Sequence, residues 1–285
     1  ASPSSPIPTI LSQREAVPIL APNELEDVMA KQTLLILGGT GEARRLAERL
    51  CTRSTLRVVT SLAGRTRTPE ALQGEVRVGG FGGADGLARY LEDEGIDLMV
   101  DATHPFAARM ARNAAEAASL TGVPLITLMR PAWQPVAGDN WQIASGMAEA
   151  AALLGPEPRR VFLAIGRQEV QAFRAAAQHH YLVRSVEPVE PAHLPPNAQC
   201  ILARGPFCED DEIALLTEHR IDIVVAKNSG GTATYGKIAA ARRLGLPVVM
   251  IDRPKPADAT IVADVDEAMA AIEAHLAAPL AERGA

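Results

Sequence analysis

Thr33-Leu-Leu-Ile-Leu37, followed at once by Gly38-Gly39-Thr40-Gly41 and then by the stretch Glu42–Leu50, decides the fold. A continuous apolar run closed by glycines predicts a strand buried on both faces. Leu46 and Leu50, four residues apart, predict a helix with one apolar face. Working outward, the same alternation recurs. Leu56–Ser61, Val76–Val78, Ile96–Val100 and Leu125–Met129 read as strands. Asp85–Glu94 and Phe106–Leu120 read as helices. Short apolar strands alternating with amphipathic helices predict a parallel sheet wrapped by helices.

Residues 131–145 break the alternation and carry both tryptophans of the chain, which marks a crossover between lobes. A second set follows. Its strands are Arg160–Ile165, Tyr181–Val186, Cys200–Ala203, Ile221–Ala226 and Pro247–Ile251. Its helices are Gly146–Leu154, Gln168–Gln178, Asp210–His219, Tyr235–Leu244 and a closing Asp266–Ala277. The halves echo each other in the frame strand, helix, Gly-x-Pro, strand, Arg-Pro. One copy ends at Arg130-Pro131, the other at Arg253-Pro254. The fold class expected is α/β, with two Rossmann-like lobes, each a mainly parallel sheet flanked by helices. The ligand belongs in the interlobe cleft, at the carboxyl ends of the strands. The boundaries expected are a flexible Ser- and Pro-rich leader over 1–30, a first lobe over 31–135 and a second over 136–285.

Composition excludes several classes. At 285 residues the chain is long enough for about two domains. A hydrophobic fraction of 47% with 22% charged residues is that of a folded chain, not a disordered one. The net charge of −6 argues against a nucleic-acid-binding surface. No apolar run reaches the ~18 residues of a membrane span. Three cysteines make no disulfide framework and read as reduced thiols of a cytoplasmic protein. No Cys/His spacing fits zinc, so no metal is expected. Neither a Walker phosphate loop nor a Gly-x-Ser-x-Gly elbow is present. No long apolar stripe stands out, which favours a monomer.

The strand ends carry the chemistry. Gly38, Gly39, Thr40, Glu42 and Ala43 form a glycine-rich turn opening a helix, where free N–H groups and the helix dipole favour a pyrophosphate. In the frame Gly39-x-Gly41-x-x-Arg44 the third glycine is replaced by arginine, which predicts a displaced helix or a different turn. About 20 residues on, an NAD site has an acid. Here Thr60-Ser61-Leu-Ala-Gly-Arg65-Thr-Arg67 offers hydroxyls and guanidiniums instead. Ser61 and Arg65 therefore predict a 2′-phosphate, hence NADPH. Asp101-Ala-Thr103-His104-Pro105-Phe106 ends another strand, with Thr103 as helix cap and Pro105 at the helix start. Thr103, His104 and Pro105 thus join the cofactor side of the crevice. In the second lobe, Arg167, Gln168, Arg204 and the turn Lys227-Asn228-Ser229-Gly230-Gly231 bring cations and donors to strand ends, with Arg253 nearby. That set suits a substrate with several carboxylates. Phe106 and Phe207 are apolar contacts for a flat ring, or core residues.

The motifs Leu-Gly38-Gly-Thr-x-Glu-Ala43, Ser61-Leu-Ala-Gly-Arg65, Gly79-Gly-Phe-Gly82, Asp101-Ala-Thr-His-Pro-Phe-Ala107, Gly166-Arg-Gln168 and Lys227-Asn-Ser-Gly-Gly231 occur in this order. The ordered set resembles the precorrin-6A reductase family of cobalamin biosynthesis, over about Thr33 to Asp252. The resemblance implies two Rossmann-like lobes and NADPH-dependent reduction of one C=C bond of a polycarboxylate tetrapyrrole. It implies hydride delivery to C19 and a proton to C18, giving precorrin-6B. His104, Lys227 and Tyr235 are the candidate proton donors. Two other readings stay open: an atypical short-chain dehydrogenase, whose Tyr-x-x-x-Lys is missing, and a nucleotide sensor without turnover.

Overall fold

The computed structural model describes residues 31–64, 72–256 and 259–277. The leader 1–30 and Arg65 therefore lie outside the described residues. Two six-stranded sheets make up the fold, every strand pair being parallel.

The first sheet is built from β1 (Gln32–Leu37), β2 (Leu56–Leu62), β3 (Glu75–Val78), β4 (Leu98–Asp101), β5 (Leu125–Leu128) and β12 (Thr260–Val262). Their spatial order is β3-β2-β1-β4-β5-β12. The chain order reverses between β1 and β4, and a ligand crevice forms outside the strand ends at such a reversal. On one face lie α1 (Gly41–Leu50) and α7 (Val265–Ala277). Leu46, Leu50, Met269 and Ile272 pack there on Leu34 and Ile36. On the other lie α2 (Ala84–Asp93) and α3 (Ala108–Thr121), with Leu87, Leu91, Ala114 and Ala117 against Leu35, Leu37 and Met99. Both faces of β1 are covered, which is why its sequence is apolar without alternation.

The second sheet holds β6 (Trp141–Ala144), β7 (Arg160–Ala164), β8 (His180–Ser185), β9 (Ala198–Leu202), β10 (Ile223–Lys227) and β11 (Val248–Ile251), in the order β9-β8-β7-β10-β11-β6. α4 (Met147–Ala152) and a 3-10 segment, Val170–Ala175, cover one face. α5 (Glu209–Glu218) and α6 (Gly236–Leu244) cover the other. The two orders match strand for strand, so the sequence echo is an architectural one. In both copies the Gly-x-Pro frame ends a helix: Gly122 and Gly245 are left-handed C-caps at φ 74° and 68°.

Three expectations are corrected. β12 and α7, assigned to the second lobe within 136–285, belong to the first: β12 pairs with β5, and α7 fills the first core. The chain crosses between lobes twice, once after each Arg-Pro. β6 and β12, the edge strands reached after those crossings, had no strand signal. They are three or four residues long and half exposed, so they show no buried apolar run. The helix expected over Gln168–Gln178 is a 3-10 segment. Its buried residues, Val170 and Phe173, and the buried Ala176 just past its end recur every third position, which matches three residues per turn.

Ile272 is fully buried in the first lobe although it follows the second in sequence. Ile272→Ala is expected to cost about 2–5 kcal/mol, read by urea denaturation, and to speed amide exchange in β1 and β5 but not in β10. Faster exchange confined to β10 and β11 would contradict the assignment of α7.

Candidate active site at the facing strand ends

The turn after β1 is tied down from two sides. Thr40 caps α1, its Oγ1 accepting from Ala43 N at 3.1 Å, and donates to Ala102 O at 2.8 Å beyond β4. A Cβ on Gly38 would lie 3.0 Å from Thr60 Cγ2, so only glycine packs there comfortably. Gly39 sits at φ +117°, and nothing lies within 4 Å of a Cβ built on it. Its backbone faces open space at the start of α1. The small residue packed against the sheet is Ala43, 1% exposed. The working frame is thus Gly38-x-Thr40-x-x-Ala43. Arg44, one position on, is partly exposed beside Glu48, so the expected displacement of α1 does not arise. Glu42 points away from the helix axis: Arg130 Nη1 donates to its Oε2 at 2.8 Å.

At the next strand end, Ser61 is buried and in register with Arg77 of β3. Arg77 donates to Gly79 O and Gly80 O, and its guanidinium stacks 3.8 Å from the Phe81 ring centroid.

Beyond β4, Thr103 does not cap α3, which has no side-chain cap. Its N and Oγ1 both donate to Asp101 Oδ1, at 3.0 and 2.7 Å. Burial nonetheless raises the Asp101 carboxyl above the usual range. His104 Nδ1 accepts from Phe106 N at 3.2 Å, so its proton sits on Nε2. Desolvation first, then the charges of Arg130, Lys227, Arg253 and Lys237, push the imidazole down to about 3. His104 is therefore a neutral hydrogen-bond donor at working pH, not the imidazolium expected of a proton source. Pro105 is buried in the same turn.

Here the lobes meet. Phe106, from the first lobe, packs on the core of the second. Lys227 Nζ stands 5.2 Å from its ring centroid and 3.0 Å from Glu169 Oε2. Of the three proton-donor candidates, His104 and Lys227 are thus brought to one place. Tyr235 is not with them: its hydroxyl accepts from Arg242 Nη1, two turns along α6, and its ring packs edge-on against Trp133. Gln168 borders an open groove of about 780 Å³ with Met147, Glu169 and Arg174. Arg167 follows Gly166 at the end of β7, while Arg204 is exposed before the cis Gly205–Pro206 bond. Phe207 is a core partner, stacked under Arg184 at 3.7 Å.

The turn Asn228–Gly231 was expected to receive anions, and what the structure shows there is contact with the interlobe linker. The turn's carbonyls face cations. Ser229 O and Gly230 O accept from Arg130 Nε at 2.8 and 3.1 Å, and Asn228 O accepts from Arg253 Nε at 2.8 Å. Gly231 O accepts from Trp133 Nε1 at 2.7 Å. The Asn228 amide is spent on the Trp133 backbone, accepting from N at 2.8 Å and donating to O at 3.1 Å. Arg253 completes the clasp on Arg130 O and Pro131 O, at 2.7 and 3.0 Å. Asn228, Ser229, Gly230 and Gly231 are a socket for the interlobe linker, and Arg253 is its fastener. Composition conceals this because glycine-rich turns present N–H or C=O groups equally well.

Lys237, Glu169 and Arg130 were missed. Lys237 is 4% exposed, donates to Thr234 O at 2.5 Å and lies 4.9 Å over the Trp133 ring. Burial, with Arg184 nearby, lowers its ammonium to about 7. A Tyr-x-Lys spacing gave no sign of this. The repeated Arg-Pro frame was the one available signal for Arg130. Among the described residues no group of three or more metal-ligating side chains occurs, and no helix is long and apolar enough to cross a membrane.

Two measurements follow from this geometry. A histidine charged in the unfolded chain but neutral when folded stabilises the fold above its free value near 6.5, and that stability is lost as pH falls toward the folded value. Imidazole ¹⁵N shifts of His104 are thus expected to hold the neutral, Nε2-protonated pattern from pH 8 to 5; a midpoint near 6.5 would refute it. Gly230 sits at φ +66°, and a Cβ there would overlap Pro131 O and the Arg253 guanidinium. Gly230→Ala is expected to lose at least the ~1–3 kcal/mol of backbone strain; an unchanged urea midpoint would speak against the socket.

A model of the family described as precorrin-6x reductase CbiJ/CobK matches residues 33–273. A precorrin-6A reductase of Sinorhizobium sp is 57% identical over 251 residues, 88% of this chain and 96% of that protein. One of Rhodococcus erythropolis is 52% identical over 231 residues, 81% and 93% of the two chains. A cobalt-precorrin-6A reductase of Priestia megaterium is 28% identical over 251 residues, 84% and 97% of the two. The solved structure of a CobK precorrin-6A reductase superposes with a TM-score of 0.81 at 46% identity, covering 87% of this chain and 99% of that one. With the match spanning both lobes and both crossings, the chain belongs to the precorrin-6x reductase family.

Proposed function

We propose that the chain reduces one C=C bond of metal-free precorrin-6A with NADPH to give precorrin-6B, a step in making the corrin ring. The observation that carries this reading is the meeting of a nucleotide-type turn in one lobe with His104, Phe106 and Lys227 where the strand ends of both lobes face each other. The choice of metal-free substrate rests on the relatives. Those called precorrin-6A reductase are 44–57% identical, those called cobalt-precorrin-6A reductase 28–30%.

Gly39 and Thr40 would offer backbone N–H groups to the pyrophosphate at the start of α1, while Gly38 N is held by Ser61 O and Ala43 N by Thr40 Oγ1, which fix the turn. Ser61 and Arg65 would take the 2′-phosphate, and Arg77, in register with Ser61, adds basic character at that end of the sheet. NADPH, when bound, supplies the hydride, for which C19 of the macrocycle is the proposed acceptor. The chain has to align two ring systems and exclude water. Phe106, closing the space between the lobes, excludes water at that point. His104 donates a hydrogen bond from Nε2 without changing charge. Lys227, an ammonium in the same place, is the proton source proposed for C18, with Glu169 orienting it. Arg167, Gln168 and Arg204 remain as contacts for the peripheral carboxylates.

Anaerobic NADPH consumption with precorrin-6A tests this, with NADH and the cobalt form run alongside. Substrate-dependent NADPH loss is expected, with NADH far weaker and that preference eroded in Arg65→Ala. Lys227→Met is expected to lower kcat by about 10²-fold or more with NADPH affinity retained. Tight NADPH binding without turnover on either substrate would move the assignment to a nucleotide sensor.

A further inference from the structure

Glu42 poses an electrostatic problem. An acid in the first turn of α1 suits the helix dipole but repels a diphosphate arriving at the same N-terminus. The structure supplies countercharge from two sides: Arg45 Nη2 of the same helix donates to Glu42 Oε1 at 3.3 Å, and a shorter bond to Oε2 comes from across the molecule. Arg130 belongs to the first crossing between the lobes, and its guanidinium is divided between them. Nε is seated on Ser229 O and Gly230 O of the second lobe, and Nη1 donates to Glu42 Oε2 of the first. Both side chains are about one-fifth exposed, so the pair is only partly screened. Nη2 has no protein partner among the described residues. A guanidinium anchored at one end, paired at the second and open at the third can take an anion without leaving its seat.

We propose that Arg130 is a positioning residue that couples nucleotide occupancy of the β1–α1 turn to the disposition of the second lobe, by sharing its fork among Glu42, a nucleotide phosphate and the Ser229–Gly230 carbonyls. This rests on the nucleotide reading of the turn. The coupling has a direct route. The Arg130 backbone carbonyl is itself gripped by Arg253, so a pull on the guanidinium is resisted by both crossings at once. It reaches the catalytic candidates too, because Lys227 is the residue before Asn228 and opens the socket turn.

The test uses NADP⁺ as probe, with titration calorimetry and hydrogen–deuterium exchange, neither of which needs substrate. In the unaltered chain NADP⁺ is expected to protect amides at 38–44 in the first lobe and also at 129–134 and 228–231 across the crossing. Arg130→Gln is expected to bind NADP⁺ about tenfold or more weakly, the scale of one charge-assisted bond, and, at saturating NADP⁺, to protect 38–44 alone. Arg130→Lys, which keeps the charge but loses the fork, is expected to recover affinity in part and the distant protection not at all. A circular-dichroism melt of each variant separates misfolding from lost coupling, and Arg130→Lys carries the test if Arg130→Gln does not fold. Unchanged affinity and unchanged distant protection in the variants would overturn the coupling while leaving the nucleotide reading intact. No NADP⁺ binding by the unaltered chain would overturn both.

Discussion

Two guanidinium groups seated on main-chain carbonyls hold this fold in its working arrangement. Arg130 and Arg253 stand at the same place in two echoed βαβ frames; Arg130 closes on the turn after β10, and Arg253 closes on that turn and on the first crossing. A hydrogen bond from a charged donor contributes about 1.5–3 kcal/mol, and the clasp makes several. Its larger consequence is geometric. Parallel sheets present their ligand edges in one direction only, so two such lobes form a shared crevice only if the linkers fix which edges face each other. The clasp does so within a few residues of Lys227, and the carboxyl ends of β4 and β10 come together as a result.

That same clasp explains how far the sequence could be read. The ten strands with continuous or alternating apolar residues were legible because sheets covered on both sides demand apolar side chains. The turn from Gly38 to Ala43 was legible in outline, since the tight packing at Gly38 and the cap at Thr40 are local requirements. Its frame was off by one, because the need for a small residue at Ala43 rather than Arg44 comes from contact with the sheet. β6 and β12 were illegible for a different reason: their pairing is dictated by where the crossings deliver the chain. Asn228–Gly231 shows the limit most clearly. The residue types fit an anion nest, yet the partner deciding the turn's polarity lies almost 100 positions away, as Ser229 O and Arg130 Nε do.

The site residues divide along the same line. Thr103, His104 and Lys227 were chosen by the rule that topology puts ligand contacts at strand ends, and they do lie at strand ends. What each does there is set by neighbours distant in sequence. His104 loses its charge through burial among four cations, three of them from beyond residue 200. Tyr235 is drawn off by Arg242 and by Trp133, a linker residue. Lys237, with no local signature, is a buried amine under the Trp133 ring, within the field of the Arg184–Glu212 pair.

The lobes share a strand order but differ after its matching strands β1 and β7, and the difference lies in one segment. After β1 the chain forms α1, ten residues long and capped by Thr40, with an open backbone at Gly39. After β7, its counterpart, the chain forms only the six-residue Val170–Ala175 segment, without a side-chain cap. Aligned peptide dipoles and free N–H groups at a helix start are what make such a turn receptive to phosphate, and six 3-10 residues supply much less of both. Val170, Phe173 and Ala176, spaced by three, share one buried edge, the spacing that a three-residue turn accommodates. The second lobe thus presents a shorter, uncapped segment at the matching position. Its strand ends are left to Arg167, Gln168, Glu169 and Lys227, a set suited to carboxylates and a proton rather than to a second dinucleotide. Two sheets of one strand order thus carry different segments after their matching strands, and the local helix period is where they part.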